Sequence, residues 1–340
     1  MININEFWKK REPKVVYSYV PEPTYRQKDP PEMLRMAVEL IASWEASGAN
    51  IPPVFIPDFG TVTTAKTWGG KVVRSSDGQQ IFIEHVSTDI DAILDVQPAE
   101  HNPDVAQAVT LYKEVCRQTG RNDIRFVTPD YQGPLNTAAQ IMEQVEFLVA
   151  MYTEPTKVHT LLDRVTNNLI QYMKDLQAQV PVSGSVWPYM WLPSEFGVSI
   201  TEDLMPLVSP ELYKEFGLPY LKRISDAFGG VFVHSCGEWS HNAQVMAESG
   251  INYLGMDFCY PYSKIDVIQE SLPNLVLQPG FEFFKKLEYA DVCEFIEGMI
   301  QKRRGNTCLW FALNSNPIWP MDKVRRTFEK CGVKDISFGK

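Results

Sequence analysis

The pattern of apolar and polar positions becomes a regular alternation from about residue 104. Segments with apolar residues at helical spacing alternate there with short apolar runs of strand length. Strands that are separated by single helices pair in parallel through right-handed crossovers, so the pattern predicts an α/β fold around a parallel sheet. The predicted helices cover 104–119, 136–151, 155–179, 209–228, 239–249, 263–271, 289–303 and 320–331, and the predicted strands cover 124–128, 231–235, 252–258, 275–278 and 307–313.

The number of strand–helix units distinguishes two α/β architectures. A chain of 340 residues has room for two ordinary domains or for one large barrel. Six or more units, without a GxGxxG segment after a first strand, favour a (β/α)8 TIM-type barrel over an open doubly wound sheet. We therefore predict a single barrel domain over residues 31–340.

The N-terminal third adds two features to this barrel. The first 30 residues are rich in proline and charge, which predicts an extended N-terminal arm over residues 1–30 that lies on the surface. In the stretch "KVVRSSDGQQIFIEHV", alternating β-branched residues flank Ser76-Asp77-Gly78. This arrangement predicts a β-hairpin insertion.

The charge of the chain excludes one class of partner. It has 32 Lys+Arg against 42 Asp+Glu, a formal net charge of −10, and no long basic cluster. Nucleic-acid phosphates require a basic surface, so we expect no nucleic-acid partner. The sequence shows no run of about 18 apolar residues and no signal segment at its start, so we expect a cytoplasmic protein without a membrane span. The six cysteines are dispersed, as is typical of thiols in a reducing compartment.

Polar and titratable residues follow the predicted strands at the ends where barrel enzymes carry their chemistry. The predicted tips carry no Lys or Arg, so a highly phosphorylated substrate is not indicated. The residues at these strand ends are Asp58, Asp130, Trp187, Tyr189, Glu202, Asp203, His234, Cys236, Asp257, Cys259 and Asn314.

The stretch "VFVHSCGE" is the most distinctive of these strand ends. Residues i and i+2 of a strand point to the same side, so His234 and Cys236 face together, as do Asp257 and Cys259 on the next strand about 4.8 Å away. Imidazole and thiolate, together with a neighbouring carboxylate or a second thiolate, are groups that bind zinc directly in proteins. An H-x-C pair alone is a weak motif, and packing of both residues in the core is the alternative.

Three stretches resemble the uroporphyrinogen decarboxylase superfamily: "DLMPLVSPELYKEFGLPYLKRI", "VFVHSCGE" and "YQGPLNTAAQIMEQVEFLVAMYTEPTKVHTLLDRVTNNLIQYM". They are most similar to its zinc-containing, corrinoid-dependent branch, the methylcobamide:coenzyme M methyltransferases and their relatives. The likeness covers most of the chain from about residue 50. It implies an (α/β)8 barrel, a zinc ion, a methylcobamide on a partner corrinoid protein as methyl donor, and a small thiol as acceptor.

The sequence departs from this family in two places. Uroporphyrinogen decarboxylases carry an arginine-bearing R-Q-A-G-R-Y motif, and this chain has "IPDFGTVTTAKTWGG" in that region, which speaks against porphyrinogen decarboxylation. The zinc methyltransferases take a third ligand from a Cys at the end of the last strand, where this chain has Asn314. Cys308 opens that strand, on the order of 17 Å from the active end. Cys259 is therefore the preferred third ligand.

We thus expect a zinc-dependent methyltransferase that moves a methyl group from a corrinoid protein to a small thiol. The alternatives are a metal-free lyase that acts on a smaller carboxylate, with His234 as proton carrier, and a partner module without chemistry of its own. A homodimer stays open. The expected metal ligands are His234, Cys236 and Cys259; the expected catalytic residues are His234, Asp257 and Asp203; the expected substrate-binding residues are Asp58, Trp187, Tyr189, Glu202 and Asn314.

Overall fold

The strands and helices follow the predicted order. The structure, a computed structural model, describes residues 3–12, 14–21, 28–75, 81–182, 191–258, 264–280, 291–314 and 321–333. The strands are β1 (Val15–Val20), β2 (Val54–Phe55), β3 (Lys71–Arg74), β4 (Ile81–Glu84), β5 (Arg125–Phe126), β6 (Val198–Thr201), β7 (Val231–His234), β8 (Tyr253–Phe258), β9 (Val276–Pro279) and β10 (Cys308–Asn314). The α-helices are α1 (Ile4–Lys10), α2 (Pro30–Ala42), α3 (Ile90–Leu94), α4 (Pro103–Thr119), α5 (Pro134–Ile141), α6 (Gln144–Thr153), α7 (Pro155–Gln177), α8 (Pro210–Leu212), α9 (Leu218–Phe228), α10 (Ala243–Glu248), α11 (Ile265–Ser271), α12 (Val292–Lys302) and α13 (Met321–Lys330).

Parallel strands form a ring. Six strands pair in the order β1-β10-β9-β8-β7-β6, and β2 pairs with β5 in a second sheet. Backbone hydrogen bonds join the two sheets on both sides: Asn50 N–H donates to Tyr19 O at 3.2 Å, and Gly133 N–H donates to Thr201 O at 2.7 Å. On the other side of β5, Phe126 bridges in parallel to Val182. The parallel strands of the described residues, with helices outside them, form the barrel that the sequence predicts.

The N-terminal segment supplies a strand of this ring. All of β1 is in register with β10, from Val15 opposite Leu309 to Val20 opposite Asn314, and five of its six residues are buried. Helix α1 adds aromatic packing, with the Phe7 ring 5.2 Å from that of Trp310. Residues 14–20 are therefore part of the barrel, whereas the proline-rich composition predicts that they lie on the surface. The β-branched and aromatic run "VVYSYV" outweighs the flanking prolines because it fits a buried strand.

The hairpin insertion has the predicted antiparallel pairing. Lys71 lies opposite Glu84 and Arg74 lies opposite Ile81. The turn residues of the prediction, 76–78, lie outside the described residues.

Within the ranges that the structure describes, no helix is long and apolar enough to cross a membrane.

Glu202 directly follows β6 and packs against α5. Its side chain is 1% exposed, and a Cβ on Gly133, just before α5, would overlap the carboxyl group. Its Oε2 atom has no hydrogen-bond partner within the described part of the chain. Burial, reinforced by the Asp203 carboxylate, raises the pKa of Glu202 to about 8, although the Leu135 backbone N–H opposes the shift. Glu202 is therefore held as a neutral acid between sheet and helix, which does not favour the predicted substrate contact.

The raised pKa of Glu202 makes stability depend on pH. The unfolded chain titrates near 4.5 and the folded chain at about 8, so the folded protein holds the extra proton between these values. The contribution of Glu202 to the free energy of unfolding is complete below about pH 4.5 and is lost as pH rises towards 8. We expect Glu202→Gln, which cannot ionise, to flatten this decline and to gain about 2–4 kcal/mol over the wild type at pH 8.

Urea unfolding at pH 5 and pH 8 measures this difference. The exposed Glu146→Gln serves as the control and should keep the wild-type profile. Equal pH dependence in Glu202→Gln and the wild type would contradict a neutral buried Glu202.

Candidate metal site at the ends of three strands

Three neighbouring strands bring their carboxyl ends together at one edge of the barrel. His234 is the last residue of β7, Asp257 is the penultimate residue of β8, and Asp203 follows β6 by two residues. The parallel register aligns these ends, with Thr201 opposite His234 and Val233 opposite Met256. The predicted strand-end residues Asp203, His234 and Asp257 therefore lie close together.

The side chains of Asp203, His234 and Cys236 converge on one point. One ligand atom from each lies within 4.8 Å of the others. His234 Nε2 is 3.2 Å from Cys236 Sγ and 3.9 Å from Asp203 Oδ1. The Cys236 backbone N–H also donates to Asp203 Oδ1 at 2.7 Å, which fixes this carboxylate beside the thiol. Three donors of different chemistry, sulfur, nitrogen and oxygen, thus surround one position.

Asp257 orients the imidazole. Its Oδ2 forms a short hydrogen bond with His234 Nδ1, and its Oδ1 accepts the Ser235 backbone N–H at 2.9 Å. With Nδ1 bound to this carboxylate, Nε2 is the ring nitrogen that faces Cys236 and Asp203. A carboxylate behind a histidine is the usual outer partner of a metal ligand.

The charges of the site favour a bound cation. Burial lowers the pKa of His234, but the Asp257 and Asp203 carboxylates outweigh it and raise the pKa well above its ordinary value. The hydrogen bond from His234 lowers the pKa of the Cys236 thiol, whereas burial and the two carboxylates raise it, with a net rise. Without a metal, the thiol therefore keeps its proton, which does not favour a free cysteine nucleophile.

The geometry fits zinc. Zinc bonds of ~2.0 Å to nitrogen and ~2.3 Å to sulfur at a tetrahedral angle separate ligand atoms by about 3.3–3.8 Å. The separations from His234 Nε2, 3.2 Å to Cys236 Sγ and 3.9 Å to Asp203 Oδ1, lie close to this interval. Three protein ligands leave the fourth position of a tetrahedral site to a substrate atom, as in catalytic zinc sites.

A second polar group lies beside the triad. Asp130 is buried, and its Oδ1 accepts hydrogen bonds from Thr201 Oγ1 at 2.7 Å and from Gln132 Nε2 at 3.0 Å. The pKa of Asp130 is raised, mainly by burial and also by the carboxylates of Asp58 and Asp203, although the hydrogen bond from Thr201 and the charge of His234 oppose the shift. The sequence places Asp130 at a strand end, but the bonds from Thr201 and Gln132 depend on loop conformation, and only the D-x-Q spacing hints at them.

Asp203 lies with His234 and Cys236, whereas the sequence predicts Cys259 as the third ligand. Cys259, Trp187 and Tyr189 lie outside the described residues, and of Asn314 only the backbone, at the end of β10, is described. Cys308 begins β10 opposite Val276, the first residue of β9, and is fully buried. Burial raises the pKa of its thiol to about 11. Cys308 thus lies at the far end of its strand from the triad, as the strand geometry predicts.

Comparisons with known proteins agree with this fold. The structure is similar to that of a methyltransferase from Methanosarcina mazei, with a TM-score of 0.61 and 14% sequence identity over 92% of this chain and 88% of that one. At this identity the likeness shows a common fold. A search of the curated proteins finds no match. The family model described as uroporphyrinogen decarboxylase (URO-D) matches residues 54–278, which is well over half of the chain. The chain therefore belongs to the uroporphyrinogen decarboxylase (URO-D) family.

Proposed function

We propose that the chain is a zinc-dependent methyltransferase that moves a methyl group from the corrinoid of a partner protein to a small thiol. The observation that carries the proposal is the convergence of Asp203, His234 and Cys236 within 4.8 Å at the catalytic end of the barrel. Membership of the URO-D family and the fold in common with a methyltransferase from Methanosarcina mazei support it. The lack of the arginine-bearing family motif turns the proposal away from porphyrinogen decarboxylation.

The residues divide the work between ligation and orientation. Asp203, His234 and Cys236 would hold the metal, and a bound zinc would supply a Lewis acid that keeps a thiol as its thiolate at neutral pH. Asp257 retains the Nδ1 proton and fixes the ring of His234. Asp130 offers a buried carboxylate oxygen beside the triad for polar groups of the acceptor, and Asp58, a buried carboxylate that interacts with Asp130, stays a prediction for the same role.

Asp203 replaces Cys259 as the proposed third ligand. Its carboxylate is fixed by the Cys236 backbone N–H at 2.7 Å, so it needs no rearrangement to reach a metal beside Cys236. Cys259 stays a prediction from the sequence, as a rival third ligand. The side chains of Trp187, Tyr189 and Asn314 lie outside the described residues, so these three residues stay predictions as substrate contacts.

A metal-free lyase is the second candidate. The buried Asp130, oriented by Thr201 and Gln132 in the electrostatic field of His234, is the observation that favours it. In such a reaction a fixed carboxylate stabilises a cationic intermediate and His234 carries the proton. Removal of zinc would leave this activity intact, which separates the two candidates.

Metal analysis of protein that is purified without chelators tests the ligand assignment. We expect about one zinc per chain in the wild type, because sulfur, nitrogen and carboxylate donors meet at zinc distances. Cys236→Ser should lose the zinc and Cys308→Ser should keep it, since Cys308 lies at the other end of its strand. Asp257→Asn should weaken zinc binding about 10- to 100-fold. Zinc-free wild-type protein that is correctly folded would contradict the proposal.

Methyl transfer from free methylcobalamin to a panel of small thiols tests the activity. The methyl group leaves cobalt without its bonding electrons and joins the acceptor sulfur, cobalt retains the pair as cob(I)alamin, and the thiol proton passes to solvent. We expect a thioether product and a matching loss of methylcobalamin absorbance, both abolished by chelator and by Cys236→Ser. A zinc-loaded protein that methylates no thiol would contradict the acceptor class and favour the lyase.

A further inference from the structure

Two loops carry the ligands of the proposed site, and they touch each other. The Asp203 loop is residues 202–208, and the Cys236 loop is residues 235–242. Gly237 packs so closely on the Asp203 loop that a Cβ atom would lie 2.6 Å from Pro206 Cγ. Its φ is not in the left-handed region, so close approach, not backbone conformation, accounts for the glycine in "HSCG".

Asn242 bonds one loop to the other. Its side chain is 0% exposed, and its Nδ2 donates to the Met205 backbone carbonyl at 2.9 Å. A buried amide that pairs with a backbone carbonyl is costly to remove, because the carbonyl then loses its partner away from water. Asn242 therefore ties the end of the Cys236 loop to the residue two positions after Asp203.

Neighbouring contacts extend the same connection. His241 Nε2 lies 3.1 Å from Val208 O, and its Nδ1 lies 3.3 Å from Glu238 Oε2 within the loop. Trp239 is fully buried and donates its Nε1–H to Asp257 O at 3.2 Å. The segment from Cys236 to Asn242 thus contacts the chain beyond β6 and the end of β8, the two neighbours of β7.

We propose that Asn242 is a positioning residue that sets the distance between the Asp203 carboxylate and the Cys236 thiolate, with the contact of Gly237 on Pro206 as the stop against which the loops close. The inference rests on the proposed function for its metal, but the connection itself consists of protein atoms alone. Neither residue is a ligand, and both act through the loops that carry ligands. Outer contacts of this kind change metal affinity about 10- to 100-fold.

The first test needs no metal. Amide hydrogen exchange is measured in metal-free wild type, Asn242→Ala and Asn102→Ala. Asn102 is the matched control, because it is also buried and its Nδ2 donates to a backbone carbonyl, Thr63 O, at 2.9 Å. Asn242→Ala should speed exchange in 203–208 and 235–241, and Asn102→Ala should not. Wild-type exchange of both loops in Asn242→Ala would overturn the proposal.

The second test measures zinc affinity by competition with a chromophoric chelator. Asn242→Ala should bind zinc about 10- to 100-fold more weakly, whereas Asn102→Ala, with a comparable loss of thermal stability, should stay within about threefold of the wild type. Gly237→Ala perturbs the contact in the opposite way, by overpacking, and should also weaken binding. The cobalt-substituted Asn242→Ala protein should show a shifted sulfur-to-cobalt absorption band.

Equal zinc affinity in Asn242→Ala and Asn102→Ala would overturn the positioning role although the protein binds metal. A wild type that binds no zinc would instead remove the proposed function. The exchange measurement alone would then decide whether Asn242 holds the two loops together.

Discussion

The hydrogen bond between Asp257 and His234 is the interaction on which the candidate site depends. It crosses from β8 to β7, and it forms because the parallel register brings the ends of these strands to one edge of the barrel. Asp257 also accepts the Ser235 backbone N–H at 2.9 Å, so a single carboxylate fixes both the ring and the backbone that leads to Cys236. Without it, the imidazole would be free to rotate and the triad would lose its geometry.

The electrostatic balance of the site follows from this arrangement. The carboxylates of Asp130, Asp203 and Asp257 interact with one imidazole, Asp58 adds its charge beside Asp130, and burial makes the mutual repulsion of these groups costly. A divalent cation at the proposed site would relieve that repulsion and replace the protons that His234 and Cys236 otherwise retain. The same physics explains why Glu202, which faces α5 instead of the triad, remains neutral behind it. The edge of the barrel that carries the triad is thus charged, whereas the buried Glu202 behind it is neutral.

Strand periodicity made part of this site predictable. The i, i+2 rule and the strand ends identify His234, Cys236 and Asp257, and the strand length places Cys308 at the opposite end. The place of Asp203 beside His234 and Cys236 was not predictable, because its position depends on how two loops pack, not on a repeat along a strand. The barrel was readable from the alternation of elements, but the role of β1 was not, because it requires pairing with β10 almost 300 residues later.

The central claim is a zinc site with a single thiolate ligand. Zinc K-edge X-ray absorption of the loaded protein tests it most directly, because sulfur and lighter ligands scatter at different distances. We expect one sulfur at ~2.3 Å and the remaining ligands as nitrogen or oxygen near ~2.0–2.2 Å. Two sulfur ligands in the spectrum, which would assign Cys259 in place of Asp203, or a folded protein that takes up no zinc, would contradict it.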